Sequence, residues 1–382
     1  MNRKVVTIIL FSGMQSAAAF LAVTYLSYFL GAEAYEPIAW RLVIFQIAAL
    51  GLDLGLNSLA LRLLARTGSA GATRSVLQIK FTILAALGLV AAILLPFGGW
   101  SLLPVLAGAL QSFSVSARVL WAGEKRLVDA LPGIAMLCSA AVLVPASSLV
   151  DGADAKFAMA FLLPHVVQAI TFALVCRVGM SPASLLRLKG IRFGEWLGVF
   201  VSGIGFAMAP QILALIAKDS NKSYFVELSL ALSLSAAPAL LLNSYRLAKY
   251  VDVSGRTSSL VAAAERLKVV LADLRNFAVI YFSAVVAMTI GAMVVYSGRY
   301  GDMPLALLVI CLGTFSVFTV GLINVKAQVD GMVVADALVN VLRVALAALL
   351  ALVIDHLLIL LICYYTMMVC GEMLIATVRR NV

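Results

Sequence analysis

Long apolar runs alternate with short polar interruptions along the whole chain. Twelve runs of 20 to 25 residues stand out: 5–29, 38–61, 76–97, 102–121, 128–149, 157–176, 194–217, 224–247, 277–297, 303–325, 332–354 and 357–378. About 20 helical residues span a hydrocarbon core, so each run predicts a membrane-crossing helix. The interruptions fall into two classes. Those at 31–37, 98–101, 150–156, 218–223, 298–302 and 355–356 are short, and those on the other side are longer. The one sizeable polar segment, 250–276, places Leu260, Ala264, Leu267, Leu271 and Leu274 on one helical face among charged neighbours. That pattern predicts an amphipathic helix near 257–275, lying on the cytoplasmic surface as a connector.

Composition agrees with this reading. Apolar residues make up 63% of the 382, charged residues only 12%, and mean hydropathy is +1.08. A soluble domain carries about 25% charged residues, so the chain is read as an all-α integral membrane protein. The net charge of +10 does not point to nucleic acid, because it is sorted by side. Twenty of the 28 Lys and Arg fall on the side of both termini, while the opposite side has only Lys156, Lys218, Lys222 and Arg299. The positive-inside rule therefore places both termini in the cytoplasm. Trp40, Trp100, Trp121 and Trp196 fall near span ends, where aromatic belts form. Arg3 and Lys4 precede an apolar run with no clear cleavage site, which predicts a retained first helix. The five cysteines all lie within spans, at spacings that suit packing rather than disulfides or a metal site. Twelve spans divide into six plus six near Gly194, which predicts two bundles, 1–193 and 194–382, around a central cavity.

The remaining four basic residues, Arg41, Lys80, Arg118 and Arg343, lie inside spans. Charges there are costly and mark pathways or buried pairs. Arg343 is eleven residues past Met332, about 16 Å into the bilayer at 1.5 Å per residue. A guanidinium at that depth has two readings. It grips phosphate oxygens through paired hydrogen bonds, or it forms an internal ion pair with Asp336 or Asp53. Asn340 shares its side of the helix. Arg41 and Arg118 lie near span ends, where they snorkel to headgroups or line a cavity, and Lys80 is expected to snorkel. Gln46, Asp53 and Asn57 share one helical face, where Asp53 serves ion coupling or pairs near the cytoplasmic mouth. His165, just after Pro164, is either a proton carrier or a hydrogen-bonded packing residue. No phosphate-binding glycine loop, nucleophile motif or metal cluster is present in the sequence, so the chain is read as a non-enzyme without cofactor or metal.

The stretch LGAEAYEPIAWRLVIFQIAALGLDLGLNSLALRLLAR, Leu30 to Arg66, resembles the start of Wzx-type polysaccharide flippases of the multidrug/oligosaccharidyl-lipid/polysaccharide (MOP) exporter superfamily. The turn is carried by Leu30, Gly31 and Tyr35, the Asp-x-Gly by Asp53 to Gly55, and the basic residue by Arg62; Glu36 stands where the family usually has Gly. ARVLWAGEKRLVDALPGIA, from Ala117, resembles the turn between the family's fourth and fifth helices. SYFVELSLALSLSAAPALLLNSYRLAKYV, from Ser223, resembles a second-half helix interrupted by proline, here Pro238. The resemblance implies a flippase of the bacterial inner membrane. It would carry an undecaprenyl-pyrophosphate-linked oligosaccharide for O-antigen, capsule or exopolysaccharide assembly. Arg343, Arg41, Arg118, Asn340, Gln46 and Asn57 would then bind substrate, while Asp53, Asp336 and His165 would serve ion coupling (H+ or Na+) or internal pairing. Membrane lipids, a polysaccharide polymerase and a chain-length regulator would be its partners. A drug or cation antiporter of the same superfamily is the alternative, although the first span lacks the embedded carboxylate such proteins often carry. A membrane enzyme of polysaccharide assembly is disfavoured by the short connections.

Overall fold

The computed structural model describes residues 3–57, 59, 71–94, 99–116, 130–176, 193–254, 260–296, 298–330 and 333–378. Among these the fold is all-helical, without a strand. The helices are α1 (Arg3–Gly51), α2 (Gly71–Leu94), α3 (Leu103–Val115), α4 (Leu131–Ala146), α5 (Ala153–Phe157), α6 (Leu163–Cys176), α7 (Phe193–Asp219), α8 (Phe225–Ser254), α9 (Leu260–Tyr296), α10 (Met303–Asp330), α11 (Val333–Val353) and α12 (Leu357–Val378). A π-helical turn, Ala158–Leu162, joins α5 to α6 in one span. Seven of the described helical stretches are long and apolar enough to cross a membrane, and three shorter ones are apolar too. Prolines open α3 and α4, where a missing N–H leaves no helical hydrogen bond unmade.

Two breaks shape α1. Gly31 takes φ 74°, ψ 175°, a backbone open to glycine and costly for other residues. The polar turn expected over 31–37 contracts to this one residue, since 32–37 already belong to the second helical arm. The second break ends that arm at Gly51, inside the run expected to be helical to residue 61. Residues 52–55 form turns, with Leu54 at φ 51° and Gly55 at φ 66°. Gly55 meets the backbone of α7 there, for a Cβ would stand 2.9 Å from Phe200 Cα. The segment expected as a surface helix, 257–275, is helical from Leu260 and runs unbroken into the next span. No Gly or Pro interrupts residues 260–290, which accounts for the continuity. Leu274 ties it down against Tyr245, Phe277, Phe315 and Phe318.

Most of the packing joins helices that are not neighbours in the chain. In the first half α1 packs on α3 and α4, with α6 against both and α2 against α3. In the second, α7 packs on α11, α8 on α10, and α12 on α10 and α11, with α9 against α10 and α8. The two halves meet where α1 packs on α7 and α8. Fully buried alanines recur in the core, among them Ala39, Ala107, Ala214, Ala306 and Ala347. Small residues let helices approach closely, which matters where no hydrophobic force drives one helix onto another. The outer surface carries exposed Leu89, Leu149, Leu174, Leu338 and Val353, as a bilayer-facing wall should.

Candidate functional site

The seam between the halves opens into a groove of about 970 Å³. Gly13 to Phe29 of α1 form one wall, Leu137 of α4 adds to it, and Ala237, Pro238, Leu241, Ala284, Met288, Val294 and Val295 of α8 and α9 form the other. Among the described lining residues none is charged, and their polar groups are the hydroxyls of Ser16, Thr24, Tyr25 and Tyr28. Phe20, Tyr28, Phe29 and Val294 among them are exposed. Pro238 lies at this wall, and α8 runs on through it without the interruption expected from the sequence.

The charged candidates lie elsewhere, in separate clusters. Arg343 is 2% exposed between α11 and α12. Its Nη1 donates to Asn340 Oδ1 at 2.8 Å and to Glu372 Oε1 at 3.0 Å, and its Nη2 donates to Met368 O at 2.9 Å. Asn340 in turn donates to Asp336 O at 2.9 Å. The carboxylate on Arg343 is therefore Glu372, rather than the Asp336 or Asp53 considered from sequence. Gly371 makes room for it, because a Cβ there would lie 2.5 Å from Arg343 Nε. Glu372 is the only acid in the run 357–378, which is the signal that could have found it.

A second cluster surrounds the lower break of α1. Lys80 of α2 is bonded to Asp53 and donates to Ser112 O at 3.2 Å, and Asn57 donates to the same carboxylate at 2.5 Å. Lys80 is 3% exposed, so it does not snorkel as expected: burial beside Asp53 offers its ammonium an ion pair instead of headgroups. The adjacent backbone reaches the other half, where Trp196 Nε1 donates to Leu54 O at 3.1 Å. Arg41, at the opposite end, bonds Asp154 Oδ1 at 2.8 Å and Pro37 O at 2.8 Å. His165 is buried, with Nδ1 2.7 Å from Phe161 O and its ring 5.3 Å from that of Phe45. Gln46 is half-buried on the second arm of α1. Arg118 lies outside the described residues. Among the described candidates, the structure joins Asp53 with Asn57, and Arg343 with Asn340 and Asp336, and places none of them in the groove.

The seam is also tied at the end opposite the chain termini. Lys218 of α7 pairs with Glu36, Ser229 Oγ donates to Ala39 O at 3.4 Å, and Trp40 meets Phe225 edge-on at 6.5 Å. Ser27 and Tyr28 meet Tyr296, Arg299 and Tyr300. Tyr300 lies in the turn after α9, where burial pushes its hydroxyl up to about 12, so it stays a donor at any physiological pH. Sequence reading missed this set, because neutral hydroxyls at span ends look like ordinary interfacial residues.

No family model and no curated relative matches the sequence. Solved structures do match over nearly the whole chain. A MOP superfamily transporter from Pyrococcus furiosus, described as having a binding pocket of reverse polarity that suggests a different function, aligns with a TM-score of 0.55 at 15% identity, covering 98% of this chain and 92% of that one. An outward-facing multidrug resistance MATE family transporter of the MOP superfamily gives 0.54 at 15% identity, with the same coverage. The MATE transporter ClbM in complex with Rb+ gives 0.51 at 13% identity, covering 100% and 94%. The fold is thus that of MOP superfamily transporters, a helical multi-pass membrane architecture.

Proposed function

We propose that the protein flips an undecaprenyl-pyrophosphate-linked oligosaccharide across the bacterial inner membrane by alternating access of two six-helix bundles, 1–193 and 194–382. One observation carries this reading: among the described residues that line the seam groove none is charged, and Phe20, Tyr28, Phe29 and Val294 in it are exposed. A prenyl chain fits such a groove, while a cationic drug would find no carboxylate among these described residues. The termini lie in the cytoplasm, by the sorting of basic residues. The diphosphate requires cations, for which Arg41, Arg118 and Arg343 are the candidates. Arg343 takes that role only in a state where Glu372 gives way, because the carboxylate holds the guanidinium here.

A second reading is a MATE-like exporter driven by a cation. The solved structures of similar fold favour it, since several are MATE transporters and one is in complex with Rb+. Reconstitution separates the two. Purified protein in vesicles should move a fluorescent polyprenyl-diphosphate sugar between leaflets, scored by quenching from outside. Efflux of a fluorescent organic cation, with no movement of the lipid-linked sugar, would overturn the flippase reading.

A further inference from the structure

Gly31 breaks the path of α1 and ends its first arm. Two carbonyls of that arm's last turn accept bonds from the other half of the molecule. Tyr300 Oη donates to Ser27 O at 2.8 Å, and Arg299 Nη1 donates to Tyr28 O at 2.7 Å. The Arg299 guanidinium also stands 4.7 Å from the centre of the Tyr28 ring. A cation at the carboxyl end of a helical arm is favoured by the helix dipole. A third bond joins Ser27 Oγ to Tyr296 Oη at 2.9 Å. The Ser27 proton is already directed at Val23 O, 2.6 Å away, so Tyr296 is the donor. All three partners come from the end of α9 and the turn after it.

These contacts sit at one end of the groove. Thr24, Tyr25, Tyr28 and Phe29 line it from α1, and Val294 and Val295 line it from α9, directly beside the bonded residues. The two helices are therefore joined at this end and part along the groove. One group opposes the closed arrangement. The Tyr35 hydroxyl is fully buried, with no hydrogen-bond partner among the described residues, beside Tyr296 and Tyr300. A buried hydroxyl left unbonded raises the free energy of the closed state, and water would relieve it on opening.

We propose that Ser27, Tyr28, Tyr296, Arg299 and Tyr300 form a reversible clasp that gates the groove toward the face opposite the termini. The clasp acts on access alone, so it holds for a lipid flippase and for a cation exporter alike. The test uses the full chain with its native cysteines replaced. Thr24→Cys, inside the groove, reports access to a membrane-impermeant maleimide applied from that face. Tyr296→Phe combined with Tyr300→Phe removes two of the three bonds and keeps the rings. Labelling should quicken about tenfold, the factor that two modest hydrogen bonds set. Spin labels at Phe29→Cys and Val294→Cys, both exposed positions, report the separation of α1 from α9 directly. The paired Phe variant should gain a longer-distance population. An unchanged distance distribution overturns the gate, whatever the labelling rate. Neither readout uses a substrate, so failure here is distinct from failure of the flippase reading.

Discussion

Each half of the molecule buries a cation against a carboxylate, and the two pairs are built differently. Arg343 and Glu372 sit within unbroken helices of the second half, with side chains 2% and 8% exposed. Lys80 and Asp53 sit where α1 is broken, and the Asp53 side chain keeps 22% of its exposure. Every partner of Arg343 named above belongs to α11 or α12. The residues beside Asp53, in contrast, touch α7 of the other half through Leu54 O and Gly55. A charge pair sealed inside one unit can stabilise that unit but has no lever on its neighbour. A pair placed at a break in the seam can transmit a local charge change to the packing of the halves.

The largest expected effect tests the sealed pair. Arg343→Met should lower stability by about 3–5 kcal/mol, because it removes the buried cation that pairs with Glu372. Thermal unfolding in detergent measures the loss. Adding Glu372→Gln should recover most of it, since the neutral amide needs no counter-charge. Should the double variant regain stability and sugar transport together, the pair is structural and Arg343 takes no diphosphate. Stability regained without transport would instead assign Arg343 to the substrate.

The two regions also differ in how much of them could be read from sequence. The apolar runs and the all-helical fold were visible because membrane helices must satisfy their backbone internally. Arg343, Asp336, Asn340, Asp53 and Asn57 were visible as polar residues in apolar runs. Their partners were less so. Sequence spacing reveals neighbours on one helix, such as Asn340 and Asp336, but Glu372 comes to Arg343 from the next helix and Lys80 comes to Asp53 from 27 residues away. The groove was illegible for a further reason. It is made of ordinary apolar residues, and its existence depends on how α1 and α9 diverge. The lower break was hidden too, since Asp-Leu-Gly in an apolar run breaks a helix only where a tertiary contact, here Phe200 on Gly55, rewards the turn.

The middle effect tests the seam pair. Lys80→Met should cost less stability than Arg343→Met, about 1–3 kcal/mol, because Asp53 retains Asn57 and some solvent. Transport should fall much further than stability does, if the pair governs how the halves meet. Asp53→Asn should behave alike, with a smaller stability loss. A Lys80→Met protein as active as the parent would remove the distinction between the two pairs.

The smallest expected effect on stability belongs to Trp196. Its Nε1 bonds Leu54 O across the seam at 3.1 Å, and its ring stacks on Phe200 at 5.5 Å. Trp196→Phe removes the bond and keeps an aromatic ring, so the stability cost should stay near 0.5–1.5 kcal/mol, about that of one neutral hydrogen bond. The residue is far more informative for motion. Leu54 sits at φ 51°, a conformation that a leucine leaves readily once nothing holds it. Without the indole donor, the turn at 52–55 can relax toward helix and draw its backbone away from α7. Hydrogen exchange should then quicken at residues 52–57 and at the start of α7, with α11 and α12 unchanged. Quickened exchange confined to α11 and α12 would reverse the assignment, making the sealed pair the mobile one and the broken seam the fixed point.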